Sequence, residues 1–216
     1  MKDRPVRILA VSDETVDRPF DGPVDLLVSC GDLPYDYLEL VASSTNAPLV
    51  FVHGNHDPPV QYTEAGAGLR EPPGEDLDRR CLERAGLLLA GLEGCVRYRE
   101  GAPHQYSERE MARRATSLLP GLLRNRLRRG RWLDVLVTHA PPRGIHDAAD
   151  RAHAGFRSFL RIMGLFRPRL LLHGHHRVHP GRPRETRFGA TTVVNVLPYR
   201  VIDVGVAAGG HPGPAR

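Results

Sequence analysis

The chain has 216 residues, 41% of them hydrophobic and 25% charged, with a formal net charge of +5 and a pI near 9.5. That length suits one compact domain able to bury most of its apolar surface, and the composition excludes the disordered and fibrous classes. No apolar run approaches the roughly 18 residues of a membrane helix, and the N-terminus lacks the apolar core of a secretory signal. A cytoplasmic protein with no membrane partner is the expectation. Cys30, Cys81 and Cys95 are too few and too irregularly spaced for a disulfide framework or zinc knuckle. They read as small buried hydrophobes.

In chain order, Val6–Val11 and Asp25–Cys30 are short apolar runs closed by turn residues, and read as buried strands. A helix follows over Tyr35–Ala42, with Pro34 at its first position, and then a strand over Leu49–Val52. The stretch from Pro58 to Asp76 carries Pro58, Pro59, Pro72 and Pro73 with several glycines, which predicts a surface excursion or lid. Leu87–Leu89, the glycines Gly91 and Gly94, and Cys95–Tyr98 predict a hairpin. Ser107–Arg128 predicts a helix pair broken near Pro120-Gly121, with Ser107 and Glu110 as a capping box. The arginines from Arg124 to Arg131 would suit a phosphate-tracking patch, so a nucleic-acid partner stays open. It is not favoured, because no aromatic residues interleave for stacking and cations also suit a helix C-terminus. Val135–Thr138 is a strand, Gly155–Phe166 an amphipathic helix, and Arg169–Leu172 a strand running into His173-Gly174-His175-His176. Thr191–Val196 and Tyr199–Val204 alternate like an antiparallel pair. A single domain over 1–206 is expected, with a disordered Gly/Pro/Ala tail over 207–216.

The chemistry gathers at strand ends: Ser12-Asp13, Gly31-Asp32, Gly54-Asn55-His56-Asp57, Thr138-His139 and Gly174-His175. Loops at the carboxyl ends of strands in an α/β sheet converge on one crevice. Carboxylates, an amide oxygen and imidazoles together suit a divalent transition ion. Taken singly these motifs are weak, and a lone Gly-Asp is usually a turn. The ordered set is a joint signal.

Those motifs resemble the calcineurin-like metallophosphoesterase superfamily, whose pattern is Asp-x-His, Gly-Asp, Gly-Asn-His-Asp/Glu, a single His, then Gly-His-x-His. The match runs from about Val6 to about Asp203. The resemblance implies an α/β fold, a β-sandwich of two mixed sheets flanked by helices. It makes Asp32 a carboxylate bridging two metals and Asn55, His139 and His175 the rest of one metal's shell. His56, oriented by Asp57, stands beside the scissile phosphorus, and Asp13 is the first carboxylate of the other metal position. Two departures fall on that other position: Thr15 and Arg177 stand where the pattern has histidines.

Three readings follow. In one, a single ion sits in the intact shell and Arg177 supplies the missing positive charge, since a guanidinium grips phosphate oxygens bidentately. In the second, Glu14, Asp17, His176 or His179 rescues the depleted shell, and oxygen-rich ligands would favour manganese over zinc. In the third, catalysis is lost, and a phosphate- or nucleotide-binding module with a single metal site remains. The expected function is a metal-dependent phosphodiesterase or phosphatase acting on a small phosphoester, in which metal-activated hydroxide attacks phosphorus and His56 assists. The expected cofactor is one or two divalent ions, manganese before iron, zinc or nickel. Oligomeric state is left open. His53 reads as packed behind the ligands, and His173 as a weaker candidate ligand. His146, Asp147 and His153 are equally crevice or surface residues, while His104 and His211 have no site context.

Overall fold

The computed structural model describes residues 4–17, 22–58, 60–62, 66, 68–69, 72–179 and 181–205. The expected tail, His211 and part of the Pro58–Asp76 excursion lie outside the described residues. The first sheet contains β1 (Val6–Val11), β2 (Leu26–Ser29) and β3 (Leu49–Phe51), with helix α1 (Tyr35–Thr45) between the last two. In the excursion β4 (Gln61–Tyr62) pairs with β5 (Gly68–Leu69), and β6 (Glu75–Asp76) returns to β3. Then come β7 (Cys81–Arg84), β8 (Leu87–Leu92), β9 (Cys95–Val96), β10 (Gln105–Tyr106), α2 (Glu108–Thr116), α3 (Leu119–Arg129) and β11 (Val135–Thr138). Helix α4 (Arg157–Phe166) precedes β12 (Leu170–His173), β13 (Glu185–Phe188), β14 (Thr191–Asn195) and β15 (Tyr199–Val204).

The two large sheets run β15-β1-β2-β3-β6 and β13-β14-β12-β11-β8-β7. Both are mixed: β1, β2, β3 and β6 are parallel with β15 antiparallel at the edge, and β8, β11, β12 and β14 are parallel between antiparallel β7 and β13. Alternation along each strand sends successive side chains to opposite faces, and here both faces are covered. Ile8, Ala10, Val28 and Val50 meet Leu87, Leu89, Val135, Val137 and Leu172 between the sheets. Leu9, Val11 and Leu27 pack on Leu38 and Val41 of α1. On the far side Ala90, Leu136, Leu171 and Val193 pack on Met111, Leu122, Phe159, Ile162 and Met163 of the other helices. The order helix–sheet–sheet–helix explains why the strands read as continuous apolar runs.

The α2 capping box forms from Ser107 and Glu110 as expected, and α3 begins at Leu119-Pro120 and ends at Gly130 in the left-handed region, φ 71°. Pro34 is the residue before α1, one position earlier than expected. Two pairings differ. The antiparallel hairpin joins Cys81–Arg84 to Leu87–Leu92, while Cys95–Val96 pairs parallel with Gln105–Tyr106. The strands at Thr191 and Tyr199 are not partners: β14 joins the second sheet and β15 crosses to pair with β1, Val6 opposite Val204 and Val11 opposite Tyr199. The three cysteines are buried and carry no disulfide. At the end of α3, Arg129 pairs with Glu83 at 2.8 Å and Arg131 with Asp134 at 2.9 Å.

Candidate metal centre

Five strand ends open on one place. Asp13, Asp32 and Asn55 follow β1, β2 and β3 of the first sheet; His139 and His175 follow β11 and β12 of the second. Asp13, Asp32 and His175 have left-handed backbones, with φ of 63°, 58° and 77°. Such conformations cost about 1–3 kcal/mol each and persist where the surroundings impose them. Two glycines are fixed by close approach: a Cβ on Gly54 would lie 2.0 Å from Asp32 Oδ1, and one on Gly174 1.9 Å from Ser12 Oγ.

Four acceptor atoms converge at the centre. His139 is fully buried and its Nδ1 donates to the Cys30 carbonyl at 2.7 Å. Its Nε2 therefore faces Asn55 Oδ1 at 3.0 Å, His175 Nδ1 at 3.0 Å and Asp32 Oδ2 at 3.3 Å. The Asn55 amide nitrogen donates to the Tyr98 hydroxyl at 3.2 Å, which turns the amide oxygen inward. His175 Nε2 donates to the Ala152 carbonyl at 2.7 Å, which leaves Nδ1 as a lone pair. Hydrogen-bond partners thus assign both tautomers. An amide oxygen, a carboxylate oxygen and two imidazole lone pairs held this close demand a positive charge between them, and the set fits a divalent transition ion. Asp13, Asp32 and His139 also form a cluster whose ligand atoms lie within 4.8 Å of one another.

The charges agree with that reading. Burial opposes the His139 cation, yet the Asp32 carboxylate outweighs it and holds the metal-free imidazole at a pKa of about 9. Burial likewise opposes the Asp32 anion, and His139 together with the His56 amide brings it down to about 2. Burial, reinforced by the neighbouring His139 charge, lowers His175 to about 3. Burial is also the main cause that raises Asp13. Its Oδ2 accepts from Ser12 Oγ at 2.5 Å and from the His175 amide at 2.8 Å, tying the first sheet to the second.

The remaining predicted residues are distributed unevenly. His56 is exposed at the rim, and its amide donates to Asp32 Oδ1 at 2.7 Å. Asp57 is bonded to backbone amides. Its Oδ2 accepts the amides of Gly54 at 2.8 Å and Asp32 at 3.0 Å and lies 3.7 Å from His53 Nδ1, so it clamps the two metal-side turns together. His104 is misplaced by the sequence reading. It stacks on His53, with centroids 5.0 Å apart, and lies 3.1 Å from Glu93, which pairs with Arg114. Arg177 is 67% exposed and ion-paired with Glu14. His176 turns Nδ1 to the Arg177 carbonyl at 2.8 Å, and the His179 carbonyl closes a turn with Arg182. His153 packs at a tilt on His175 and edge-on to His176, and His173 bonds His146 at 2.9 Å. Sequence reasoning named Ser12 beside Asp13 without giving it a role, and missed Tyr98 and the Ala152 carbonyl, which nothing in the sequence marked.

Fold and centre together define a metallophosphoesterase-type protein. The sequence matches the model of the calcineurin-like phosphoesterase family over residues 7–179. The chain belongs to that family, whose general type is a metal-dependent phosphoester hydrolase. The fold is similar to the crystal structure of TT1561 of Thermus thermophilus, at 16% identity and a TM-score of 0.57, covering 89% of each chain. A second solved structure is 15% identical with a TM-score of 0.55, covering 93% of this chain and all of that one. A Vps29 single mutant from Entamoeba histolytica aligns at 10% identity and a TM-score of 0.40, over 95% of this chain and 77% of that one. No curated protein matches the sequence. No helix among the described residues is long and apolar enough to cross a membrane.

Proposed function

We propose that the chain hydrolyses a small phosphoester, a diester before a monoester, with one divalent ion held by Asp32, Asn55, His139 and His175. The convergence of Asn55 Oδ1, His175 Nδ1 and Asp32 Oδ2 on His139 Nε2 carries this reading. A divalent ion bound there supplies a Lewis acid that neutralises phosphate oxygens and acidifies water. Manganese is the proposed metal, and a cytoplasmic single domain over 1–206 the proposed setting.

The protein's own groups supply the rest. His56 is exposed and its backbone amide is bonded to Asp32, which supports a role for its ring in protonating a leaving oxygen. Asp57 contributes by holding the Asp32 and Gly54 turns in register. The ion pair of Glu14 and Arg177 supports the one-ion form over rescue. Glu14 already spends its charge on Arg177, and Arg177 keeps enough exposure to turn toward a phosphate. Asp13, bonded by Ser12 and the His175 amide, serves as a brace between the sheets.

The test is hydrolysis of bis-p-nitrophenyl phosphate with added Mn²⁺, run beside elemental analysis. Turnover lost in His139→Ala, with about one ion per wild-type chain, is the expected result. Arg177→Gln is expected to lower turnover and leave metal content unchanged. Wild-type turnover no higher than His139→Ala with any divalent ion would refute catalysis. About two ions per chain would refute the one-ion form and favour rescue through Glu14, His176 or His179.

A further inference from the structure

The helical layer over the second sheet leaves part of its apolar surface uncovered. Leu119, Leu123 and Leu127 recur every four residues along α3 and are 47%, 51% and 77% exposed; Leu165 of α4 is 71% exposed. Four-residue spacing places the three leucines in one row about 12 Å long. Leu122 and Asn125 are the residues that this helix buries. The row leads into a cavity of about 210 Å³ between α2 and α4, lined by Ala112, Ala115, Leu119, Ile162, Leu165 and Phe166. A cavity of roughly 150 Å³ already holds a benzene ring, so this one has room for one large apolar side chain.

The charge around this surface is of one sign. Arg109 and Arg113 of α2, Arg124, Arg126 and Arg128 of α3, and Arg157 and Arg161 of α4 are exposed, and Arg161 lines the cavity itself. Neither α3 nor α4 contains an acidic residue. Of the two in α2, Glu110 pairs with Arg97, and Glu108 accepts the Arg157 and Ser158 amides at the start of α4. An apolar row and socket bordered by uncompensated cations match an amphipathic helix with acidic flanks.

We propose that the α3–α4 face is a docking site for an acidic amphipathic helix of another protein, anchored by one large apolar side chain in the α2–α4 cavity. A second copy of this chain does not fit, because α3 against α3 would set arginines on arginines. The socket likewise favours a partner with a protruding side chain over a flat lipid surface.

The probe is a synthetic amphipathic peptide with glutamates on its polar face and leucines and one tryptophan on the other, titrated against the full chain by fluorescence anisotropy. Saturable binding is expected, weakened by raising salt from about 50 to 300 mM and by about tenfold in Leu119→Glu and Leu123→Glu. Both leucines are solvent-exposed, and melting curves verify that the variants fold. A charge swap gives a second readout: Arg161→Glu should lose the glutamate peptide and gain a lysine-faced one. No saturable binding, or equal binding of a scrambled acidic peptide, would overturn the proposal. So would tighter capture by phosphatidylserine vesicles, or a dimer by light scattering that the leucine substitutions dissolve.

Discussion

Gly174 touches both sheets, and replacing it tests the geometry of the centre without removing a ligand. A methyl group there would lie 1.9 Å from Ser12 Oγ and 2.3 Å from Asp13 Oδ2. Those atoms end β1, whereas Gly174 ends β12, so relief requires the two strand ends to move apart. Overpacking of this kind costs about 1–3 kcal/mol. The displaced Asp13 also loses its 2.8 Å bond from the His175 amide, and a hydrogen bond to a charged group is worth about 1.5–3 kcal/mol. Together these give about 2.5–6 kcal/mol, or roughly 5–24 °C in Tm for a domain of this size. The assay is thermal denaturation of wild type and Gly174→Ala, each with and without Mn²⁺. At about 100 times its Kd a ligand adds roughly 2.7 kcal/mol of stability, and Gly174→Ala should keep less than half of that gain because His175 moves with its backbone. A variant melting within about 2 °C of wild type, with its metal response intact, would refute the reasoning.

Three further outcomes are expected. Glu108→Ala removes the carboxylate that accepts the Arg157 and Ser158 amides at 2.9 and 2.8 Å, and should cost about 1–2 kcal/mol, read as a fall in Tm. Gly54→Ala places a methyl against Asp32 and His139, so it should abolish Mn²⁺-dependent stabilisation in the same assay while far-UV circular dichroism stays native. Acid sensitivity should involve Glu93. Burial disfavours its anion, but His104, Tyr106 and Arg114 outweigh burial and hold the folded pKa near 2, against an ordinary 4.5. A depressed folded pKa contributes stability that is complete above the unfolded value and is lost as pH falls toward the folded one. Wild type should therefore lose Tm between about pH 4.5 and 2, and Glu93→Gln, less stable at neutral pH, should show a shallower loss. Parallel curves would show that Glu93 plays no part.

Most strands were legible because burial on both faces leaves short apolar runs with sharp polar ends, and Val6–Val11 and Val135–Thr138 begin and end where the pattern places them. The convergence of the candidate ligands was legible for the same reason, since each stands at a strand end. Pairing was not. Thr191–Asn195 and Tyr199–Val204 alternate alike and are separated by a short link, which suggests a hairpin. Nothing local records that the chain changes sheets at Val196–Pro198, because the partner of β15 lies near the other end of the chain. A further role of Asp57 was hidden for a comparable reason. Adjacency to His56 suggests a His–Asp pair, and nothing local records that the Gly54 turn brings the carboxylate onto amides at positions 54 and 32. His104 gained its place only through stacking on His53, a contact between segments that share no pattern.

The meeting of Asp32, Asn55, His139 and His175 has a consequence for how the molecule comes apart. Asp32 and Asn55 belong to the first sheet, His139 and His175 to the second, so the centre exists only once the sandwich has closed. Neither half offers a divalent ion more than two of the four ligands. An ion held by those four residues would act as a latch added after assembly: it would slow opening of the sandwich and leave the rate of closing almost untouched.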